Sequence, residues 1–288
     1  MAYTGDVHRY IEFTQAVKHD LQQKDSRLMP IVTEVTNQGK MQMHDFLGDV
    51  GNFDPITGRH ANTKLTEVEH KRRAITCKPY AKTFLIDDED VARQAHNIGS
   101  QYVKAGTMAY RRSMDALIYA GQQGDIGAQG QYNATTGAWE ASGAAADEGL
   151  TIDKLRRAKN RLKVNYADEL GDLCFVCHPD SVNQLLGTTE VTSSDYNTVK
   201  ALVQGEVGTF MGFEFVEYND VTDSGTVYDC YAVAKGSMYL ASQKSTGGLR
   251  TETSRRADKN NATQIQLKYD KGVSRMYDEA VIEVKCAK

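Results

Sequence analysis

The stretch GKMQMHDFLGDVGNFDPITGRHANTKLTEVEHKRRAI, residues 39–75, decides how the rest of the chain is interpreted. Short alternating segments, such as Leu65 and Val68 among threonine and glutamate, indicate β-strands, and turn formers such as Gly48 interrupt them. The apolar residues are too few to give this segment a core of its own. A long segment with strand signals and little core is usually a functional arm. We therefore predict that residues 31–82 form an extended β-hairpin that reaches a neighbouring molecule.

A long helix is predicted directly after this segment, over about residues 88–122. Acidic residues at its start suit the positive end of a helix dipole. Apolar residues recur at steps of four and three, and they are Val91, Ala95, Ile98, Tyr102, Ala105 and Ala109. Because three of them are alanine, we expect this face to lie close against a sheet.

Two further regions complete the first half of the chain. Residues 6–23 have the pattern of an amphipathic helix. Residues 121–149 are rich in glycine, alanine, serine and glutamine, and their glycine spacing matches no phosphate-binding loop. This composition predicts a flexible connection and the boundary between two sub-domains.

From residue 150 onward, the pattern alternates between helices and strands. Thr151 is placed to cap a basic helix, and a helix that starts at Pro179 ends at Gly187. A further helix is expected over residues 195–204. Strands are predicted over residues 173–177, 213–218, 228–234, 238–242, 263–269 and 280–286. The charged residues 250–261 are predicted to form an exposed connection.

Composition narrows the classes of function. The chain has 288 residues with 34 basic and 38 acidic side chains, a net charge of -4, so it lacks the basic surface that sequence-independent nucleic-acid binding requires. No run approaches the ~20 apolar residues of a membrane-spanning helix. The polar N-terminus predicts no secretory signal, so we expect the protein to remain in the compartment where it is made.

The five cysteines are odd in number and are expected to be free, buried thiols. Cys174 and Cys177 with His178 form the pattern CxxCH, which attaches c-type haem and also begins like a zinc knuckle. No further zinc ligands follow at matching spacing. A short buried strand followed by a helix start accounts for every residue of the motif, and we favour that interpretation.

Motifs of catalysis are not found in the sequence. It contains no GxSxG, no HExxH and no Walker lysine, and no two histidines have the i, i+4 spacing of metal ligands on a helix. A catalytic triad formed by residues distant in sequence stays open. We expect a protein that is not an enzyme and needs no cofactor or metal.

The order of these features resembles the major capsid proteins of tailed bacteriophages, whose shell fold also occurs in the herpesvirus capsid floor and in encapsulins. Residues 39–75 resemble the extended loop of that family, and residues 87–118 resemble its spine helix. LCFVCHPDSVNQLLG (residues 173–187) and VQGEVGTFMGFEFVEYND (residues 203–220) resemble the axial domain. YAVAKGSMYLAS (residues 231–242) and the last strands resemble the return to the peripheral domain.

The resemblance implies an α+β fold with an N-terminal arm, an extended β-hairpin loop, a long spine helix, a peripheral domain and an axial domain. The implied divisions are an arm over 1–30, the hairpin loop over 31–82, the spine helix over 83–125, the axial domain over 126–225 and return strands over 226–288. It also implies a virion subunit that forms pentamers and hexamers of an icosahedral shell around a DNA genome.

The resemblance implies several partners. They are copies of the same chain, a separate scaffolding protein, a portal and, in some members, a decoration protein, while packaged double-stranded DNA is touched weakly and no membrane is involved. We predict that the cationic hairpin contacts acidic residues of a neighbour. The residues of this predicted contact are Arg59, His60, Lys64, Lys71, Arg72, Arg73, Asp87, Asp88, Glu89 and Asp90.

Two alternatives stay open at the level of sequence. An encapsulin-like compartment shares the fold and differs in its cargo. A cytoplasmic metal- or haem-binding protein is the alternative from another class, and it depends on the CxxCH motif alone.

Overall fold

The computed structural model describes residues 22–56, 58–60, 62, 65–87, 89, 98–123, 131–133, 138–140, 149–187, 209–223 and 225–288. Its α-helices are α1 (Ile98–Gln123), α2 (Ile152–Val164) and α3 (Pro179–Leu186). Its strands are β1 (Thr33–Asn37), β2 (Met41–Leu47), β3 (His70–Thr76), β4 (Lys78–Ile86), β5 (Gln131–Asn133), β6 (Ala138–Glu140), β7 (Leu173–Cys177), β8 (Thr209–Phe210), β9 (Phe213–Glu217), β10 (Val227–Ala234), β11 (Met238–Gln243), β12 (Arg250–Arg256), β13 (Ala262–Arg275) and β14 (Val281–Ala287). This mixture confirms the predicted α+β class.

The chain divides into two compact units. The first unit comprises Met1–Ser26, Tyr80–Ser113 and Leu249–Tyr269, and the second comprises Arg27–Pro79, Met114–Gly248 and Asp270–Lys288. Each unit is therefore built from three separate stretches of sequence.

A seven-stranded sheet forms the centre of the second unit, in the order β6-β5-β14-β10-β7-β9-β8. Strand β10 pairs antiparallel with both β14 and β7, while β7 pairs in parallel with β9. All five residues of β7 are buried, as expected of a strand that has neighbours on both edges and packing on both faces.

Strand alternation sends the side chains of β7 into two different apolar clusters. Phe175 and Cys177 pack in a cluster with helices α2 and α3 that includes Leu155 and Leu185. Cys174 and Val176 pack on the opposite face with residues that include Leu28, Ile118 and Tyr231. Successive residues of a strand point to opposite faces, so one short sequence supplies both cores.

A buried carboxylate fixes the segment that leads into the first strand. Asp115 accepts hydrogen bonds from the backbone N–H groups of Arg27 (2.9 Å) and Leu28 (3.1 Å). Leu28 and Ile31 are fully buried beside it. The short 3₁₀ turn Met29–Ile31 then leads into β1, which pairs in parallel with β11.

The first unit contains β12, the first half of β13, most of β4 and the first part of α1. Ile86, Ile265 and Leu267 form its small buried apolar cluster. Helix α1 approaches this cluster closely, because a Cβ atom added to Gly106 would lie 2.9 Å from the Leu267 side chain.

Gly106 adds to the predicted face of the long helix. It is buried, while Tyr102 of the predicted face stacks on Phe84 with ring centroids 5.3 Å apart, although it is 38% exposed. Glycine, which permits the closest approach, was not counted among the predicted positions. Val91 and Ala95 of the predicted face lie outside the described residues.

Two predicted connections are wrong. Residues 250–256 form strand β12, which pairs antiparallel with β13 from Arg250–Lys268 to Arg256–Ala262. Strands β5 and β6 pair with each other inside the stretch predicted to be a flexible connection, and β5 also pairs in parallel with β14. Backbone hydrogen bonds, rather than an apolar pattern, define these strands.

Other predictions for the second half of the chain are confirmed. Thr151 caps α2, since its side chain accepts a hydrogen bond from the Lys154 N–H at 3.4 Å, and α3 begins at Pro179. The remaining predicted strands are observed within a few residues of their expected ends, although β13 is twice as long as predicted. In the described part of the chain, no helix is long and apolar enough to cross a membrane. The helices predicted over 6–23 and 195–204 fall almost entirely outside the described residues.

Candidate assembly interface

Strands β2 and β3 form a two-stranded antiparallel hairpin that pairs with no other strand of the described chain. Their register runs from Met41–Thr76 at the base to Leu47–His70. Beyond Leu47, the Gly48 N–H donates a 2.7 Å hydrogen bond to the Glu69 carbonyl oxygen, which closes the ladder. We call residues 49–68 the hairpin tip, and the described residues among them form neither helix nor strand.

The base of the hairpin is packed against the second unit, to which it belongs. Ile75 is fully buried. Phe46 and Tyr277 form an edge-to-face pair with ring centroids 5.4 Å apart, and His44 and Tyr239 form another at 5.2 Å. Aromatic pairs of this kind favour one relative orientation of their rings, so they hold the base in a defined position.

An ion pair strengthens the same base. Arg73 bonds to the Asp278 carboxylate and also donates to the Arg275 carbonyl oxygen at 3.0 Å. Arg275 donates to the other oxygen of Asp278 at 2.7 Å. Burial alone would raise the pKa of Asp278, but the hydrogen bonds from Arg73 and Arg275 outweigh it and lower that pKa. Asp278 therefore stays ionised and joins the hairpin to β13.

The hairpin tip presents large apolar side chains to solvent. Phe53 is 105% exposed, Leu65 94% and Ile56 89%. Val50 and Leu47 are also exposed. Several large apolar side chains exposed within one loop suit a surface that another molecule covers.

The cationic residues of the predicted contact have different surroundings. Arg59 and His60 are exposed in a turn of the hairpin tip. Lys71 lies 3.4 Å from Glu69, and Arg72 binds Asp45 on the facing strand through two hydrogen bonds. The Arg72 guanidinium lowers the pKa of the exposed Asp45 carboxyl group.

The predicted charge contact between copies remains a prediction. Arg72 and Arg73 both have partners within their own chain, which reduces the charge that they offer to a neighbour. Asp87 and Glu89 are exposed. Lys64, Asp88 and Asp90 lie outside the described residues.

The first unit contains a half-open cavity of about 170 Å³. Its lining residues are Tyr80, Ala81, Lys82, Gly106, Ala109, Tyr110, Ser113, Leu249, Leu267 and Tyr269. The ring of Tyr269 stacks on that of Tyr80 at 5.0 Å and meets that of Tyr110 edge-to-face at 4.9 Å. The wall is therefore largely aromatic and aliphatic.

The CxxCH motif has no geometry for a shared ligand. Cys174 and Cys177 are fully buried on opposite faces of β7, and burial raises the pKa of Cys174 to about 12. The Nδ1 atom of His178 instead accepts the Asp180 N–H at 3.2 Å and caps α3, while its ring stacks on Tyr228. In the described residues, no group of three potential ligands could hold a metal ion. The haem or zinc interpretation is therefore wrong in its geometry.

The most exposed residues of the hairpin were not predicted from the sequence. The predicted contact was based on charged residues, and Phe53 and Ile56 were counted only among the few apolar residues of the segment. The signal was present, because both lie among turn formers with no alternating apolar neighbours, so neither can be buried by a strand face. The tyrosine-lined cavity had no comparable signal, since its walls come from three separate stretches of sequence.

Comparison with known proteins identifies the class to which this fold belongs. Residues 8–288 match the sequence profile of a family described as phage capsid protein. The chain belongs to this family, which is a family of virion capsid proteins. The match covers nearly the whole chain and confirms the resemblance drawn from its sequence.

Two curated relatives of this chain are also capsid proteins. Over 204 residues, the chain is 24% identical to the major capsid protein of Escherichia phage T7, which covers 66% of this chain and 59% of that protein. The minor capsid protein of the same phage matches over 204 residues at 24% identity and is covered over 51% of its length. The chain thus spans little more than half the length of these relatives.

Solved structures confirm the predicted shell fold. The capsid structure of Helicobacter pylori bacteriophage KHP30 is similar with a TM-score of 0.78 at 10% identity, covering 99% of this chain and 97% of that chain. The capsid protein of cyanophage Pam1 gives a TM-score of 0.76 at 12% identity, with 98% and 97% covered. The capsid of Ralstonia phage GP4 gives 0.74 at 12% identity, with 100% and 98% covered.

Proposed function

We propose that this chain is the repeating subunit of an icosahedral capsid, which assembles as pentamers and hexamers and encloses a DNA genome. The observation that carries the proposal is the hairpin β2–β3, whose base is fixed by buried contacts while its tip exposes Phe53, Ile56 and Leu65. A subunit with this surface is incomplete by itself, since the exposed apolar groups gain stability only when another molecule covers them.

Head-to-tail contacts between identical subunits provide that cover. In a heterologous contact, one patch of the molecule binds a different patch of the next copy, and rings form where the rotation closes. Five- and six-membered rings of one subunit can then tile a closed shell. Family membership and the shell fold support this use of the hairpin.

The proposed parts follow the resemblance. Residues 1–30 serve as an arm, 31–82 as the hairpin loop and 83–125 as the spine helix of the peripheral domain. Residues 126–225 form the axial domain, and 226–288 return to complete both domains. Assembly proceeds with a separate scaffolding protein and a portal, and some shells of this kind add a decoration protein.

The net charge of -4 supports only weak contact with the packaged genome. Nucleic acid would then be enclosed mainly because the shell is closed around it. Digestion of purified particles with nuclease, followed by extraction, would separate this function from a compartment for protein cargo. Protected double-stranded DNA supports the capsid, whereas protein cargo without DNA would contradict it.

The direct test is to express the chain with and without the proposed scaffolding protein of its phage and to image the product by electron microscopy. Closed particles of uniform size support the proposed function. A protein that stays monomeric under every condition, although folded by circular dichroism, would contradict it.

A further inference from the structure

We propose that Phe53 of one copy inserts into the tyrosine-lined cavity of a neighbouring copy. This inference rests on the proposed shell function and names the two surfaces that meet. Both are unusual within the described residues: Phe53 is the most exposed large apolar side chain, and the cavity is an open apolar recess of side-chain size.

The first observation is the size of the cavity, which holds about 170 Å³. An engineered protein cavity of about 150 Å³ binds benzene. The cavity is therefore of the size that a benzyl side chain occupies.

Chemistry is the second argument. Phe53 is the only phenylalanine, tyrosine or tryptophan between Gly48 and Glu69. The cavity wall already contains three tyrosine rings in stacked and edge-to-face arrangements. A fourth ring can extend this cluster in either favourable geometry, whereas Ile56 and Leu65 could gain only from burial.

Charge complementarity is the third argument. Phe53 is followed by Asp54, and residues 48–58 contain two aspartates, Asp49 and Asp54, and neither lysine nor arginine. The cavity is lined by the exposed Lys82, and none of its lining residues within the described chain is acidic. Insertion of Phe53 therefore brings an acidic segment to a cationic rim, so the attraction selects this part of the hairpin tip.

Local structure prepares the hairpin tip for insertion. The Asp49 carboxylate accepts the Gly51 N–H at 2.9 Å, and Gly51 has a positive φ of 74° that a residue with a side chain rarely adopts. Pro55 restricts the backbone on the other side of Phe53. A segment that is already turned loses less conformational entropy on binding.

Two substitutions test the two partners separately. Phe53→Ala should leave the melting temperature of the subunit unchanged and reduce the assembled fraction about tenfold or more, because burial of a phenylalanine side chain favours each contact by at least that factor. Ala109→Leu, which fills the cavity from within, should also prevent assembly. Ile56→Ala is the matched control for Phe53→Ala and should have the smaller effect.

A charge exchange tests the rim. Asp54→Lys and Lys82→Asp should each impair assembly, and the double variant should restore it. This rescue cannot arise from a change in folding, and it depends on the two side chains meeting. Failure of the double variant to recover any particles would remove the electrostatic part of the inference.

Cross-linking gives the decisive result. In particles of the double variant Asn52→Cys with Ala81→Cys, which keeps the Phe53 ring, oxidation should produce a ladder of covalent multimers on non-reducing gels. Each single-cysteine variant controls for the five native cysteines, which are all free in this structure. Normal particles from Phe53→Ala, together with no ladder or a link confined to one chain, would overturn the docking and leave the shell function intact. Failure of the wild-type chain to form particles would instead overturn the shell function.

Discussion

Strand β7 and the hairpin tip both contain large apolar side chains, yet these side chains have opposite fates in the fold. In LCFVC every side chain is buried, and Phe175 contacts both Phe213 and Phe215. In the hairpin tip, Phe53 contacts solvent alone within the described chain. The difference shows that apolar residues in this protein serve two purposes, the stability of one subunit and the contact between subunits.

Substitution of Phe175 and of Phe53 should give the largest difference in the free energy of unfolding. Phe175→Ala removes a fully buried ring and should cost about 3–5 kcal/mol of unfolding free energy. Phe53→Ala should change that free energy by no more than about 0.5 kcal/mol. Urea denaturation of both variants, followed by circular dichroism, measures the contrast. Equal losses of stability would show that the hairpin tip belongs to the core.

Two glycines sharpen the comparison between base and tip. A Cβ atom added to Gly272 would lie 2.2 Å from the Thr76 carbonyl oxygen at the hairpin base, whereas Gly58 in the tip has no atom within 4 Å. Gly272→Ala should therefore destabilise the subunit by about 1–3 kcal/mol. Gly58→Ala is the control and should be close to neutral. A neutral Gly272→Ala in thermal denaturation would show that the base is more loosely packed than described.

Substitution of the buried cysteines should have a smaller effect on the free energy of unfolding. Cys177→Ala should lower the unfolding free energy by about 1–2 kcal/mol, as expected for the loss of one buried side-chain atom and its contacts. Cys174→Ala should act independently because the two thiols lie in different clusters. Visible absorption and metal analysis of the wild-type protein test whether the two thiols bind haem or a metal. A stoichiometric haem or metal would contradict it.

Loss of the Arg73–Asp278 ion pair should have the smallest effect on the free energy of unfolding, and this effect should depend on pH. Because the folded state lowers the pKa of Asp278 below its ordinary value of 3.8, the pair stabilises the subunit above that pH. The contribution is lost as pH falls through the lower, folded-state pKa. Arg73→Gln should cost about 1 kcal/mol at neutral pH, since both groups are partly exposed.

Arg72→Gln is the matched control for this pair, because Arg72 and Asp45 are more exposed. Its effect should be close to zero. The stability difference between wild type and Arg73→Gln should shrink when urea denaturation is repeated near pH 3. A difference that stays constant with pH would show that the charge of Asp278 does not stabilise the base.

The sequence predicted those parts of the fold in which local pattern and burial agree. The five apolar residues 173–177 are the observed β7, and proline and glycine mark both ends of α3. Strand β12 could not be found in this way, because all seven of its side chains are exposed and its pairing depends on backbone hydrogen bonds with β13. Residues that pair through the backbone alone leave no hydrophobic period.

The sequence predicted where the candidate interface lies along the chain, but it did not predict the surroundings of the charged residues in it. The small number of apolar residues in 39–75 predicted a hairpin, and strands β2 and β3 form one between Met41 and Thr76. Its contact with a neighbouring molecule remains a prediction. The emphasis on Arg72 and Arg73 did not anticipate their partners Asp45 and Asp278, which lie 27 and 205 residues away along the chain. The cavity depended on tertiary contacts between β4, α1 and β13 that no local pattern encodes.

The central claim is that the hairpin tip contributes to assembly and not to the folding of the subunit. Because Gly48 and Glu69 already face each other across the ladder, residues 49–68 can be replaced by Asn-Gly, a two-residue turn that suits an antiparallel hairpin. Thermal denaturation and sedimentation velocity should be measured on this shortened protein and on the wild type. We predict an unchanged melting temperature and a complete loss of particles. Normal particles, or a subunit that no longer folds, would contradict the claim.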